Sequence, residues 1–269
     1  MAYYVLFDTE TTGASQEDRV IQFGSLIVDQ RGNIEVFDEL CSSDVPIKLE
    51  AMEVHNITPN LLENKPKAVD TKFYKRLQEL NSSENFLIAH NINFDLDMIK
   101  KEGFINNFQL IDTLRCAKHL FSELPYHRLQ YLRYALELFK QEESEAKKYN
   151  ITIKAHDAIG DVLVMKLFLS KLVAKVKEIF PEVNPMKKLV ELTSTPVFVQ
   201  TFKFGKYKGE NIEDVAKKDA NYLNWMIKNM ELDEDMQYTL NMVLKNKAIT
   251  TPRSATILPR SVDQPSTHS

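Results

Sequence analysis

Glycine is scarce in this chain, 7 in 269 residues, and cysteine and tryptophan are scarcer, at 2 and 1. Two cysteines, Cys41 and Cys116, rule out a disulfide framework, and neither lies in a CxxC or Cys/His cluster of the kind that holds zinc. No apolar run reaches the ~20 residues that span a bilayer, so no membrane partner is expected. The sequence also lacks a surplus of positive charge: 34 Lys and Arg face 38 Asp and Glu, a formal charge of −4. Such a balance is unlike that of a protein that coats nucleic acid, but it leaves room for one that grips only a strand end. The GxxxxGK[ST] phosphate loop is absent, since FGKYKG has its glycines and lysines at other spacings. The N-terminus runs straight into YYVLF without a basic n-region or cleavage site, so a cytoplasmic location with reduced thiols is expected.

What is present is enough apolar residue, 43%, to bury one large core and a small second one. Tyr3 to Asp8 and Val20 to Val28 read as strands, and the turn QRGN leads to a third at Ile34 to Leu40, an antiparallel meander. The rhythm then changes. Helical spacing at Val69 to Leu80, Phe94 to Glu102, Thr113 to Phe121 and Arg128 to Phe139 surrounds short strands at Phe86 to Ala89 and Gln109 to Ile111. Thr58 before Pro59 reads as an N-cap hydroxyl with proline at the first helical position. The longest helix is expected from Asp157 to Phe180, ended by Pro181. A meander followed by alternating strands and helices predicts an α/β fold, a mixed sheet flanked by helices. The charge runs between Gln141 and Lys148 read as a solvated connection. Residues 1–180 are expected to form the main domain and 181–199 a linker with a short helix at Pro185 to Leu192. Residues 200–247 are expected to form a small C-terminal module, and 248–269 a disordered tail.

Three stretches stand out chemically. In FDTETTG, Asp8 and Glu10 are two apart, so in a strand their carboxylates share one face while Thr9 points the other way. In IAHNINFD, Asp95 follows a short strand and opens a helix. In HDAIGD, His156 and Asp161 flank the start of the longest helix. Strand ends and helix starts on one sheet edge are where α/β folds gather their sites. Four converging carboxylates repel one another unless protons or cations intervene, and hard divalent ions with oxygen ligands are the ordinary remedy. Two such ions ~3.5–4 Å apart suit phosphoryl displacement. His156, with an ordinary pKa near ~6.5, is the candidate to take a proton from the attacking water. At ~140° around a helix, His156 and Asp161 cannot face one target from a single straight helix, which puts His156 on the turn before it.

FDTETTG, AHNxxFD and HxAxxD, in that order, resemble the DnaQ-type 3′–5′ exonuclease superfamily, the DEDD nucleases, in the subgroup whose last motif carries histidine. The match covers roughly residues 1 to 175. The resemblance implies a ribonuclease H-like core, two Mg²⁺ or Mn²⁺ ions held by Asp8, Glu10, Asp95 and Asp161, and His156 as general base. It also implies a terminal nucleotide lined by Thr11 and Phe94, with Val54 and His55 of AMEVHNIT against the last base. FKFGKYKGENIEDVAKKDANYLNWM resembles the small module that follows the nuclease domain in exodeoxyribonuclease X-type proteins. The implied function is hydrolysis of single-stranded or frayed DNA 3′ ends to nucleoside 5′-monophosphates, with a replication or repair protein as a possible partner of the C-terminal module. An exoribonuclease, a polymerase proofreading subunit and a nucleic-acid end-binding scaffold are the alternatives. His90 and Asn91 are expected to order the loop that presents Asp95, and Asp97 and Asp112 to be capping or solvated.

Overall fold

The computed structural model describes residues 2–152 and 157–250. The chain divides into two compact units between Thr195 and Pro196. In the first unit, β1 (Tyr3–Thr11) lies at the centre of a five-stranded sheet. It runs on to Thr11 rather than ending at Asp8, so both acids of FDTETTG lie within the strand. β2 (Val20–Asp29) pairs antiparallel with it, and β3 (Ile34–Leu40) antiparallel with β2. The β2–β3 turn closes because Asp29 Oδ1 accepts from the backbone N–H groups of Arg31 and Asn33, and Gly32 takes a φ of +85°. After α1 (Leu49–His55), α2 (Pro59–Leu62) and α3 (Lys72–Glu79), β4 (Phe86–Ala89) pairs parallel with β1 on its other side. α4 (Ile92–Lys101) crosses over to β5 (Gln109–Asp112), parallel to β4. The sheet order is therefore β3-β2-β1-β4-β5, mixed about the central strand. α5 (Thr113–Leu120), α6 (Leu129–Ala135), α7 (Phe139–Tyr149), α8 (Ala158–Ile179) and α9 (Pro185–Ser194) complete the unit.

The alternation of β1 decides which helices cover which face. Leu6 packs with Leu26, Ile88 and Ile111 into one buried cluster with α5, α6, α8 and α9. Val5 and Phe7 pack with Phe23, Ile27 and Leu87 into a second, under α3 and α4. The meander, the short strands and the long helix therefore form where the sequence places them. Three local readings change. Thr58 stands at the N-cap of α2 but makes no capping hydrogen bond through its side chain. The charged stretch 141–148 is not a solvated connection but part of α7: Glu142 is buried and accepts at 2.5 Å from both Nε and Nη2 of Arg133. The helix at 185–194 is packed, with Leu189 and Leu192 in the first cluster.

The second unit is helical. α10 (Ile212–Lys218), α11 (Ala220–Asn229) and α12 (Glu234–Thr250) enclose Phe202, Leu223, Met226 and Leu240. Asn211 and Asp219 cap α10 and α11 through their side chains.

Candidate active site

Because β1 alternates, Asp8 and Glu10 fall on the side of Leu6, toward α8, and Thr9 on the side of α4. Asp8 pairs with Gly24 in the register of β1 against β2. A Cβ on Gly24 would lie 2.3 Å from the carbonyl carbon of Ala158 and 2.4 Å from the nitrogen of Ile159. Only a residue without a side chain lets the first turn of α8 press against the sheet at this point. That close approach carries Asp161, in the first turn of α8, up to the two acids of β1. Gly24 is a site-building residue that the motifs did not reveal, although a glycine inside an apolar strand is the signal for such an approach.

Asp95, in the first turn of α4, comes from the opposite face and is buried. Its Oδ1 accepts from Thr9 Oγ1 at 2.8 Å and from the Thr9 backbone N–H at 3.1 Å. The loop before it is held as the sequence suggests. His90 meets the Thr113 hydroxyl and the His127 carbonyl, each at 2.9 Å, and burial pushes its pKa down to about 4. Asn91 takes a left-handed φ of 76°, and its backbone N–H donates to Asp112. Asp112 also caps α5, and Asp97 is exposed.

Three of the four acids, Asp8, Glu10 and Asp95, are pushed above the usual carboxylate range. Burial, and then the charges of Asp95, Glu10 and Asp161, push Asp8 well above the usual carboxylate range. Burial, then Asp161 and Asp95, push Glu10 up to about 8. Burial raises Asp95 to about 7 against the pull of its Thr9 hydrogen bonds. Among the described residues, the charges that shift them most are those of other acids. Among the described residues no three His, Cys, Asp or Glu side chains are gathered closely enough to ligate one ion as they stand. Two of the acids are engaged elsewhere: Thr9 Oγ1 donates to Asp95, and Gln130 Nε2 donates to Asp161 Oδ1 at 2.7 Å. Gln130 in turn accepts from Arg133, 3.3 Å away, the residue that Glu142 clamps. Carboxylates that repel one another and lift each other's pKa suit hard divalent ions. His156 lies outside the described residues.

The remaining candidates share one pocket of about 410 Å³, lined by Thr11, Val54, His55 and Phe94 together with Glu10 and Lys48. Thr11 Oγ1 donates to the Gly13 carbonyl at 2.7 Å, which fixes the exit from β1. His55 ends α1, an element whose seven residues gave too short a pattern to read. Its Nδ1 accepts from the Ile57 N–H at 2.9 Å, so Nε2 is the protonated nitrogen and donates to the Thr11 carbonyl at 3.2 Å. Burial lowers its pKa, which keeps the ring neutral. Val54 is exposed and Phe94 half-buried at the rim.

A family model described as "Exonuclease" matches residues 5–168, more than half of the chain. The chain belongs to the exonuclease family. Metal dependence is typical of that family. A second model, "Exodeoxyribonuclease X-like C-terminal", matches residues 202–231, so this exonuclease-family chain also carries that module. Among curated relatives, Exodeoxyribonuclease 10 of Escherichia coli K12 is 24% identical over 246 residues, covering 90% of this chain and 98% of its own. The DNA polymerase III subunit epsilon of Treponema pallidum is 29% identical over 188 residues, 65% of this chain and 79% of its own. A solved structure, Exonuclease X in complex with 5′ overhanging duplex DNA, superposes with a TM-score of 0.50 at 19% identity, covering 71% of this chain and 99% of its own. That likeness shows the ribonuclease H-like fold expected from the motifs.

Proposed function

We propose that this chain is a 3′–5′ exodeoxyribonuclease that releases nucleoside 5′-monophosphates from single-stranded or frayed DNA ends. The observation that supports it most is the pocket in which Thr11, Val54, His55 and Phe94 meet Glu10, beside the acids of β1, α4 and α8. Its ~410 Å³ lies within the roughly 300–1,000 Å³ of small-ligand pockets, enough for a terminal nucleotide but not for a duplex. Asp8, Glu10, Asp95 and Asp161 would hold two Mg²⁺ or Mn²⁺ ions. When bound, these ions supply an acidified water and charge stabilisation for the leaving 3′-oxygen. Phe94 and Val54 offer apolar surface to the last base and sugar, and the neutral His55 stiffens the wall by its bond to Thr11. His156 takes the proton from the attacking water. Asp95 and Asp161, now bonded to Thr9 and Gln130, would turn from these donors to hold the ions.

The domain assignment goes with this reading: the nuclease occupies the first unit, and residues 200–247 form an attached module that docks a replication or repair protein or grips the strand. A cytoplasmic location belongs to it as well. The test is digestion of matched DNA and RNA oligonucleotides in Mg²⁺, with products read by mass spectrometry. Stepwise loss of 5′-mononucleotides from the DNA 3′ end is expected, abolished by EDTA and by Asp161→Ala. Internal cuts, or undiminished turnover by Asp161→Ala, would overturn the assignment. Faster loss from RNA would move it to an exoribonuclease.

A further inference from the structure

The second unit presents an aromatic surface that its own core does not use. Its core closes around Phe202, Leu223, Met226 and Leu240, yet Trp225 on α11 is left 51% exposed. The indole stacks on Tyr222 at 5.9 Å between centroids and 22° between planes. Tyr222 is itself fixed edge-on by Phe202 and Tyr207, at 6.3 and 5.1 Å. The turn that follows Phe202 folds over the same ring. Gly205 has a φ of +74°, and a Cβ there would sit 2.6 Å from the Tyr222 hydroxyl, so glycine is required for the closure. Phe204, beside it, is 40% exposed.

Cations surround this surface in two roles. Lys206 is structural: its Nζ lies 4.7 Å from the Tyr207 centroid and 5.7 Å from that of Tyr222, and 3.0 Å from Asp219. Lys203 and Lys208 on the turn and Lys228, one turn beyond Trp225, are exposed and make no ion pair among the described residues. A ring stacked on Tyr222 and half exposed, on a unit that also exposes Lys203, Lys208 and Lys228, matches the two things every single strand offers, a base face and a phosphate. An apolar protein partner would leave those charges desolvated without counterions.

We propose that this unit is a second DNA-binding site, which holds single-stranded DNA along its length, independently of any 3′ end, by stacking a base on Trp225 and placing phosphates against Lys203, Lys208 and Lys228. Trp225 is the only tryptophan of the chain, so its emission reports on this site alone. The probe is a closed circular single-stranded DNA, which has no end for the first unit to occupy, added to the full chain in EDTA. Quenching of the emission is expected, with an affinity that falls with salt at a slope near −2, about −0.7 for each of three phosphates. Trp225→Ala should weaken binding of a fluorescent circle by about 5- to 100-fold, the range of one lost base stack. Trp225→Phe should recover most of it, which separates loss of stacking from loss of folding. Unchanged affinity in Trp225→Ala would overturn the proposal. Absence of any binding to the circle would overturn it too and leave the surface to a protein partner. Hydrolysis of linear DNA is read separately, so failure here is distinguishable from failure of the nuclease assignment.

Discussion

Asp8 and Glu10 on β1 and Asp18 just after it lie within ten residues of each other, and their chemistry is opposite. Asp18 is buried, yet its carboxylate accepts from Lys48 Nζ at 2.6 Å, from the Ser15 hydroxyl and N–H at 2.6 and 2.7 Å, and from the Thr12 hydroxyl at 2.9 Å. Burial alone would raise its pKa, but Lys48, Ser15 and Thr12 together hold it well below the usual carboxylate range. Asp95 is buried as well and Asp8 and Glu10 are half-buried; among the described residues no lysine pairs with any of the three, and all three are pushed upward. The difference separates structure from function. Asp18 belongs to a finished network that pins the loop after β1, whereas the acids of β1 and α4 form one that, under the proposed function, ions would complete.

The comparison breaks most sharply at Asp8. Asp8→Asn should lower Mg²⁺-dependent hydrolysis by roughly a thousand-fold or more, because one ligand of both charge and geometry is lost. The same variant should melt no lower than the parent in EDTA at pH 8, since a repelling charge has been removed. Oligonucleotide digestion and a thermal melt check both halves. Gly24→Ala disturbs the acids of β1 and α8 and leaves the Asp18 network alone. The added methyl must push the start of α8 away from β1, withdrawing Asp161 from Glu10. A large loss of turnover and a destabilisation of about 1–3 kcal/mol are expected, read by kinetics and denaturant unfolding. Asp18→Ala should do the converse. It strands the donors of Thr12 and Ser15 and frees Lys48, costing about 2–4 kcal/mol of stability, while hydrolysis by the protein that remains folded falls far less than in Asp8→Asn.

The smallest effect is a gradient with pH, and its sign differs between the groups. Glu10 keeps its proton in the native state up to about 8 and Asp95 up to about 7, whereas unfolded carboxylates lose theirs in the usual range. Between those limits the native state binds more protons, so metal-free stability should fall as pH rises from about 5 to 8. Added Mg²⁺ should restore it at the upper end. Asp18 acts the other way: its contribution is complete above the usual carboxylate range and is lost as pH falls below it. Melting temperatures in EDTA across pH 3 to 8 should therefore pass through a maximum, and a profile still rising at pH 8 would contradict the raised acids.

The acids themselves were legible because their positions follow from local rules. Alternation puts Asp8 and Glu10 on one face, and the strand-to-helix junctions at Ala89 and Asp112 mark Asp95 and the α5 cap. The residues that position them were not. Thr9 meets Asp95 across 86 residues of sequence, and Gln130 meets Asp161 across 31, distances over which no periodicity carries information. α7 was missed for a similar reason. Its charged pattern looks solvated until Arg133 supplies a counterion for Glu142 from a different helix. Gly24 is the exception, since an isolated glycine in an apolar strand is a visible mark of close approach in a chain with so few glycines.

The most direct measurement is a crystal grown or soaked in Mn²⁺, with the ions located by their anomalous scattering. Two peaks about 3.5–4 Å apart, within ligating distance of Asp8, Glu10, Asp95 and Asp161 and with Thr9 and Gln130 released, are the expected result. Ions bound elsewhere, or Asp95 and Asp161 still turned onto Thr9 and Gln130 at saturating Mn²⁺, would contradict it.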